Sequence, residues 1–325
     1  MMLDPLGWVL HDGKAGMASQ AIGLAEAAGL PFVEKRLEIR FPWTCLPPLL
    51  WPAPLDAPGP AGARLVPPWP DFVIACGRNA AKPALAIRRV SGGRTIAAQI
   101  QDPGIGRSAF DLSIVPEHDR LRGPRVVVTR GAVHRVTSAR LAAERCRFPE
   151  LAAMPRPVLA TLIGGSNKAY RMNLQRVGEI ADAVALILRK RGGSALVTPS
   201  RRTGAQGLAL LQERLAGLPA AIWDGIGENP YFAYLAVADA FLVTADSVSM
   251  ISEAAATGKP VHVLDLDGGN AKFARFHQIM QNAGITRRFA GRIEEWSYPV
   301  PDDTARAGAA LRALVLSRFD QRERA

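Results

Sequence analysis

Three short polar segments in the second half of the chain carry residue types that bind phosphate. Gly164-Gly165-Ser166 follows one apolar run, Ser200-Arg201-Arg202-Thr203 follows the next, and Ser247-Val248-Ser249-Met250 follows a later one. Glycine lets the backbone approach a ligand closely, and arginine binds phosphate oxygens in pairs. A helix that begins after the third segment would add free N–H groups and a positive dipole end. The three segments together predict a site for a phosphorylated small molecule.

Glu253 lies about two turns into the helix predicted at residues 247–257. A carboxylate there can accept hydrogen bonds from the two hydroxyls of a ribose while a diphosphate occupies the helix start. Asp246 or Ser247 is expected to cap the helix. In the structural alternative the serines only cap, the glycines only shape a turn, and Glu253 is a solvated helix residue. The poor helix propensity of the serines argues against that alternative.

A polar turn in the first half offers candidates for acid–base chemistry. His11-Asp12-Gly13-Lys14-Ala15-Gly16 follows the first apolar run and places an imidazole, a carboxylate and an ammonium at one strand end. His118 follows a later run, where the alternative is a surface histidine beside Asp119. As candidate catalytic bases we rank Asp12 first, followed by His118 and His11.

Two more polar loops follow strands of the same predicted sheet, at residues 76–79 and 101–103. Ligands of open α/β sheets gather outside the carboxyl ends of the strands, where all of these loops lie. A role in shaping a turn is the alternative for each loop taken singly. The candidate residues at this edge, which the family resemblance described below assigns to the acceptor side, are Lys14, Gly16, Gly77, Arg78, Asn79, Gln101 and Asp102.

Several common chemistries lack their sequence signatures. The chain contains neither GxGxxG nor GxxxxGK[ST], so dinucleotide cofactors and P-loop nucleotide hydrolysis lose their main support. Cys45, Cys76 and Cys146 lie far apart, which argues against a disulfide framework and a structural zinc site. Asp265 and Asp267 resemble a DxD metal motif, but the family resemblance described below implies that their loop is sugar-contacting or structural. We therefore expect no cofactor and no metal.

Short apolar runs alternate with helix-period stretches in both halves, which is typical of parallel sheets covered by helices on both faces. Strands are predicted at 7–10, 32–36, 72–75, 95–100, 112–115, 125–128, 158–163, 194–197, 221–223, 240–243 and 261–264. Helices are predicted at 19–28, 171–191, 208–215, 230–237, 247–257, 271–283 and 302–319, with a further one opening at Arg78. Prolines at residues 148–157 predict a linker. We expect one domain at 1–150, with a C-terminal helix at 305–325 packing back on it, and a second at 151–304.

The charge balance points to an anionic partner. The 325 residues include 40 Lys and Arg against 29 Asp and Glu, a formal charge of +11. The basic residues are scattered, with no run longer than Arg189-Lys190-Arg191, so we expect no nucleic-acid partner. No signal peptide and no apolar run of the ~20 residues that span a bilayer are visible. We expect a cytoplasmic protein whose proline-rich segment at 41–70, with Trp43 and Trp51, makes at most peripheral contact with an anionic membrane.

The chain resembles the family named after a plant mitochondrial-fission factor, whose bacterial members are described as glycosyltransferases or nucleoside-diphosphate-sugar epimerases. The resemblance covers almost the whole chain. More distantly, the chain is similar to the two-domain GT-B glycosyltransferases, including the enzyme that adds N-acetylglucosamine to form lipid II. The segments that carry the resemblance are His11-Asp12-Gly13-Lys14-Ala15-Gly16, Gln101-Asp102-Pro103, Gly164-Gly165-Ser166, Thr198-Pro199-Ser200-Arg201-Arg202-Thr203, Asn229-Pro230-Tyr231, Leu235-Ala236-Val237-Ala238-Asp239, Val243-Thr244-Ala245-Asp246-Ser247-Val248-Ser249-Met250 and Gly258-Lys259-Pro260.

The resemblance implies two doubly wound parallel-sheet domains facing an interdomain cleft, with a nucleotide-sugar donor held by the second domain. It places the diphosphate at residues 247–250 and the ribose at Glu253. Arg201 and Arg202 would stabilise the leaving diphosphate. The acceptor, lipid-linked or envelope-related, is unknown. Two other functions stay open: a nucleoside-diphosphate-sugar epimerase on the same fold, and a non-catalytic membrane adaptor related to the fission factors.

Overall fold

The computed structural model describes residues 5–104 and 106–323, which fall into two compact units. Unit 1 comprises the described residues up to 135 and from 302 onward, and unit 2 comprises Val136–Pro301. Each unit has buried apolar clusters on its own sheet. Among the described residues, no helix is both long and apolar enough to cross a membrane.

Unit 1 is built on a six-stranded parallel sheet in the order β2-β1-β3-β4-β5-β6. Its strands are β1 Gly7–His11, β2 Phe32–Arg36, β3 Phe72–Cys76, β4 Ile96–Ile100, β5 Leu112–Pro116 and β6 Val126–Thr129. Its helices are α1 Ala15–Ala28, α2 Arg78–Val90 and the C-terminal helix Asp303–Glu323. Four of the strands are buried at every residue, because helices or the proline-rich segment cover both sheet faces. The order reverses between β1 and β3, where a crevice opens at the carboxyl ends.

The C-terminal helix belongs to unit 1 and packs along α1. Gly308 permits the close approach, since a Cβ there would overlap the backbone of Ala27. Arg312 donates from Nη1 to the carbonyls of Ala28 and Gly29 at 3.0 and 2.9 Å, which satisfies the end of α1. At the other end, the Asp303 carboxylate accepts from the backbone amides of residues 130 and 131.

Unit 2 repeats the architecture with a different strand order, β10-β9-β7-β11-β12-β14, again all parallel. Its strands are β7 Val158–Ile163, β8 Tyr170–Arg171, β9 Ser194–Pro199, β10 Ala220–Ile222, β11 Ala240–Thr244, β12 Val261–Leu264, β13 Asp267–Gly268 and β14 Thr286–Arg288. Its helices are α3 Ser138–Arg147, α4 Pro149–Ala152, α5 Leu174–Arg191, α6 Gly204–Arg214, α7 Tyr231–Val237, α8 Val248–Ala255 and α9 Ala271–Asn282. The short β8 and β13 pair antiparallel outside the main sheet. The order reverses between β7 and β11.

The boundary between the units lies at residue 135 and not at 150, so the prediction of a linker at 148–157 is wrong. Pro149 starts α4, because proline is well tolerated in the first turn of a helix. Helices α3 and α4 pack on α7 of unit 2, and Leu151 is buried there beside Tyr234 and Val237. The prolines that predicted a linker therefore lie at and after the first helices of unit 2.

The segment at 41–70 is an ordered excursion, as expected, with three short 3-10 turns. Trp51 is its anchor: the side chain is buried, and its Nε1 donates to the carbonyls of Trp43 and Leu46 at 3.1 and 3.0 Å. The prediction that Trp51 contacts a membrane is therefore wrong, because its ring and its N–H are both used inside the loop. Phe41 and Leu50 are instead exposed on the same loop.

Candidate functional site

The donor-side candidates of unit 2 converge where the strand order reverses. The loop after β7 contains Gly164, the loop after β9 contains Ser200, and the loop between β11 and α8 contains Asp246. Because β9, β7 and β11 are neighbouring parallel strands, all three loops leave the same edge of the sheet. Crevices of this kind are where open α/β sheets bind ligands.

A buried carboxylate fastens the glycine loop to the start of α8. Asp246 has no exposed side-chain surface, and its Oδ2 accepts from the amide of Gly165 at 3.1 Å and pairs with Arg202 Nη1 at 2.7 Å. The amide of Gly164 donates to Thr244 Oγ1 at 2.8 Å. A Cβ on Gly164 would overlap the Asp246 carboxylate, so glycine is required there for close approach.

The loop after β9 closes the glycine loop from the other side. Ser200 Oγ and Thr203 Oγ1 donate to the carbonyl of Gly164 at 2.5 and 2.8 Å, and Arg202 Nη1 donates to the carbonyl of Gly165 at 2.8 Å. The amides of both glycines are thus used internally, contrary to the expectation that they face a phosphate. Ser166 is also engaged, because its Oγ accepts from the amide of Met172 at 2.9 Å. The two glycines let the backbone lie close to the crevice, but their amides are not available as hydrogen-bond donors to a ligand.

The two neighbouring arginines have different surroundings. Arg202 is committed to Asp246 and Gly165. Arg201 is exposed, and no acceptor for its guanidinium lies among the residues that the structure describes. Of the pair expected to face a diphosphate, Arg201 alone is available for that task.

Helix α8 begins as the sequence predicts, with Ser247 as its cap. Ser247 Oγ accepts from the amide of Met250 at 3.3 Å, whereas Asp246 does not cap. The amide of Val248, in the first turn, has no acceptor within the described parts of the chain. Val248, Ser249 and Met250 are half-buried at the edge of the crevice. This helix start combines a free donor with the positive end of the helix dipole.

Glu253 is buried, not solvated: it is 4% exposed and its Oε2 accepts from the hydroxyl of Tyr231 at 2.6 Å. The interpretation of Glu253 as a solvated helix residue is therefore wrong. Tyr231 lies on α7, so the contact ties α7 to α8. Burial, reinforced by the charge of Glu253, raises the pKa of Tyr231 well above its ordinary value, which keeps the phenol protonated as a donor.

His277, which the sequence did not single out, lies beside the same loop. Its Nε2 donates to the carbonyl of Ala245 at 2.9 Å and lies 3.4 Å from the hydroxyl of Tyr170. Its Nδ1 is buried without a hydrogen-bond partner in the described residues. Burial lowers the pKa of His277, so the ring is neutral at pH 7 and Nδ1 is an unused acceptor. In the sequence, His277 looks like an ordinary residue of helix α9. Only the fold shows that its ring lies beside the loop that precedes α8.

The DxD-like residues have separate partners. The Asp265 carboxylate pairs with Arg288, while Asp267 is exposed in the short strand β13. Arg176 donates to the backbone carbonyl of Asp265 at 3.0 and 2.8 Å, which holds this loop against α5. Within residues 5–104 and 106–323, no group of three or more His, Cys, Asp and Glu side chains is arranged to hold a metal ion.

The catalytic candidates of unit 1 lie at the carboxyl edge of its sheet. The amide of Gly13 donates to His11 Nδ1 at 3.1 Å, so Nε2 carries the proton and donates to Glu34 at 2.9 Å. Both nitrogens of His11 are therefore occupied. Asp12 is paired with the exposed ammonium of Lys14. His118 is buried 3.9 Å from Asp119, so the alternative of a surface histidine is wrong.

The acceptor-side candidates follow β1, β3 and β4, around the point where the order reverses. Gly77 starts α2 with φ of +78°, and the carbonyl of Gly16 accepts from Gln20. Gln101 has φ of +69°, uncommon for this residue type, and donates to Gln20 Oε1 at 3.2 Å. The remaining candidates of this group, all at this edge, are Arg78, Asn79 and Asp102.

Asp102 is held in a bidentate ion pair. Its carboxylate accepts from Arg107 at 2.8 and 2.6 Å and from the amide of Gly104 at 2.9 Å. These contacts outweigh the desolvation that opposes them and lower the pKa of Asp102. The residue is thus ionised at pH 7 and serves the loop as an acceptor.

Two parallel-sheet α/β units of this kind define the GT-B class of fold. The UDP-GlcNAc 2-epimerase of Methanocaldococcus jannaschii, crystallised in complex with UDP-GlcNAc and UDP, matches with a TM-score of 0.55 at 12% identity, over 96% of this chain and 99% of that chain. The glycosyltransferase of kitacinnamycin matches with a TM-score of 0.50 at 13% identity, over 98% and 94% of the two chains.

Within that class, the chain belongs to the family described as Mitochondrial fission ELM1, whose model matches residues 15–315. The mitochondrial fission protein ELM1 of Arabidopsis thaliana is 35% identical over 77% of this chain. The chain spans 65% of the length of that plant protein. The Rickettsia prowazekii protein RP120 is 25% identical over 90% of this chain and 93% of its own length.

The contact between Tyr231 and Glu253 generates a stability prediction. Glu253→Ala leaves the buried phenol without its acceptor and should lower the free energy of unfolding by about 1–3 kcal/mol. Tyr231→Phe should cost less than that and should remove most of the further effect of Glu253→Ala in the double variant. Chemical denaturation of all four proteins measures the coupling. Strictly additive losses would show that Glu253 is held mainly by other contacts.

Proposed function

We propose that this protein transfers a sugar from a nucleoside-diphosphate donor to an acceptor, with unit 2 binding the donor and unit 1 the acceptor. The proposal rests mainly on the start of α8, where a free amide, a helix dipole and the exposed Arg201 lie at the point of strand-order reversal. A leaving diphosphate gains negative charge as the glycosidic bond breaks, and fixed donors at that place lower the barrier.

In this proposal the diphosphate lies at the start of α8 and the ribose alongside its first two turns. Tyr231 donates to Glu253 and orients its carboxylate, and in this proposal the ribose hydroxyls donate to the same carboxylate. Arg202 and Asp246 hold the loop, whereas Arg201 contacts the diphosphate. Among the first-half candidates, Asp12 serves as the base that takes the proton from the acceptor hydroxyl.

The donor site predicts that nucleoside diphosphates raise the melting temperature without added metal. UDP and UDP-GlcNAc are the first probes, since the similarly folded M. jannaschii epimerase was crystallised with them. Arg201→Ala should weaken UDP binding by about tenfold to a hundredfold, because a charge-assisted hydrogen bond is lost. Arg202→Ala is the matched variant: it should lower the melting temperature of the unliganded protein, whereas Arg201→Ala should not.

The measurement is the melting temperature of the protein with UDP-, GDP-, ADP- and dTDP-sugars. Each sugar is tested once with a chelator and once with Mg²⁺. If the sugars raise the melting temperature only with Mg²⁺, Asp265 and Asp267 become candidate metal ligands of the donor site. No stabilisation by any of them would favour the membrane adaptor. Incubating a bound donor alone separates the remaining alternative: an epimerase converts the sugar without acceptor, whereas a transferase gives at most slow hydrolysis.

The assignment of Asp12 as base predicts that Asp12→Asn lowers turnover by ~10²–10⁴, the range that general base catalysis supplies, with donor affinity unchanged. Lys14→Gln breaks the same ion pair from the other side: at saturating acceptor it should keep most of the turnover, and any role of Lys14 in acceptor binding would appear as a raised KM for the acceptor. Steady-state kinetics and donor titration give the two quantities. Equal losses of turnover and donor affinity in Asp12→Asn would mean that the loop at residues 11–16 binds the donor or stabilises the fold.

We further propose that the acceptor is lipid-linked and that the proline-rich loop of unit 1 contacts an anionic membrane. Phe41 and Leu50 are 77% and 61% exposed, and the guanidinium of Arg40 lies 5.0 Å from the centre of the Trp43 ring on the same loop. Exposed apolar side chains beside cations fit the interface of an anionic bilayer.

The double variant Phe41→Ser/Leu50→Ser should weaken binding to phosphatidylcholine–phosphatidylglycerol vesicles by about a hundredfold or more, because each side chain contributes about 1.5–3 kcal/mol when buried. Ile226→Ser is the control, since Ile226 is equally exposed, at 79%, but lies in unit 2. Vesicle co-sedimentation measures the affinity. Equal loss in the control, or no loss in the double variant, would exclude this loop as the contact.

A further inference from the structure

Unit 2 has an open cavity of about 640 Å³ at the amino edge of its sheet, opposite the edge that carries the donor candidates. It lies between the first residues of β7 and β11, the segment just before β12 and the last turn of α5. Strands of this length rise on the order of 15 Å from one edge to the other. The cavity is therefore separate from the start of α8.

Apolar side chains form much of the cavity wall. Ile187 and Leu188 contribute from α5, and Ile293 and Trp296 contribute from the segment after β14. The Trp296 ring is fixed: its Nε1 donates to the carbonyl of Gly284 at 2.9 Å. A rigid aromatic wall reduces the ordering cost of binding a ligand.

A buried histidine anchors the segment that carries Trp296. His262 Nε2 accepts from the amide of Glu294 at 3.0 Å, and Nδ1 donates to the carbonyl of Phe241 at 3.3 Å. Its ring meets the Trp296 ring edge to face at 4.9 Å. The wall is thus tied to the central strands β11 and β12 and is preformed.

Three basic side chains line the cavity, and they differ in whether an acceptor already binds them. Arg156 pairs with Asp239, and Arg191 donates to the carbonyl of Ile293 at 2.8 Å and lies 3.7 Å from Glu295. Lys259 is exposed at the rim, and its ammonium has no acceptor in the described part of the chain. It is the cation left for a ligand.

We propose that this cavity binds a small amphipathic anion, with an aromatic body against Trp296 and Ile187 and a single anionic group at Lys259. The volume lies within the ~300–1,000 Å³ typical of small-molecule sites, which are mostly apolar with few polar groups. The Gly258-Lys259-Pro260 segment, which the donor site does not use, forms part of this rim. The inference does not depend on which reaction the protein catalyses.

The probe is 8-anilinonaphthalene-1-sulfonate, an aromatic ring system with one sulfonate, titrated into the full-length protein. We expect one saturable site with blue-shifted emission that UDP does not displace. Lys259→Glu should weaken the affinity by about tenfold, since it replaces an attraction by a repulsion. Lys190→Glu is the matched control: it makes the same charge change beside Arg191 at the end of α5 but does not line the cavity, and it should leave the affinity within about twofold.

Melting temperatures of the variants exclude unfolding, and Lys259→Gln replaces Lys259→Glu if the charge reversal does not fold. The Lys259→Gln variant should lose about threefold to fivefold in affinity. Displacement of the dye by UDP would place it in the nucleotide site and overturn the proposal. Wild-type affinity in the Lys259 variants, or equal losses in Lys190→Glu, would overturn it as well.

Discussion

The carboxyl edge of the unit 2 sheet depends on one buried charge, the carboxylate of Asp246. An ionised carboxylate out of water is costly unless it is paired and hydrogen-bonded, and here Arg202 and the amide of Gly165 pair with Oδ2, whereas Oδ1 is buried without a hydrogen-bond partner among the described residues. The requirement fixes three loops at once, because Arg202 also holds the glycine loop and Asp246 directly precedes the cap of α8. The backbone around the crevice is therefore rigid before any ligand arrives, which lowers the ordering cost of binding.

A second buried carboxylate, Glu253, fixes the other end of the same helix. Its bond to Tyr231 ties α8 to α7, and α7 in turn packs on the helices that begin unit 2. The position of the free amide at the start of α8 is thus set from both ends by groups whose loss would leave a polar atom buried and unsatisfied. Stability and the geometry of the candidate site are coupled through this helix.

Unit 1 uses the same kind of crevice with a different balance of charges. Its polar side chains at the carboxyl edge are matched to one another, as in Asp102 with Arg107 and Asp12 with Lys14. Exposed pairs of this type contribute little to stability and exchange partners at small cost. The edge of unit 2 differs, because its loops are held by the buried carboxylate of Asp246.

The amino-acid sequence by itself determined the main strands and helices of both units, because buried parallel strands are continuous apolar runs and helices repeat every 3.6 residues. Strands β8 and β13 were missed since two residues carry no periodicity, and the edge strand β14 was missed because its Thr-Arg-Arg sequence is not an apolar run. Helix α3 was missed because none of its residues is buried, and α4 was missed because its proline resembled a linker. The sequence also placed three polar loops after strands that the fold makes neighbours. It did not distinguish Arg201 from Arg202, or a solvated Glu253 from a buried one, since adjacent residues of one type differ only in what the fold brings against them. Burial and ion pairing are long-range properties, so the tertiary structure alone decided which of these groups hold the loops and which face the crevice.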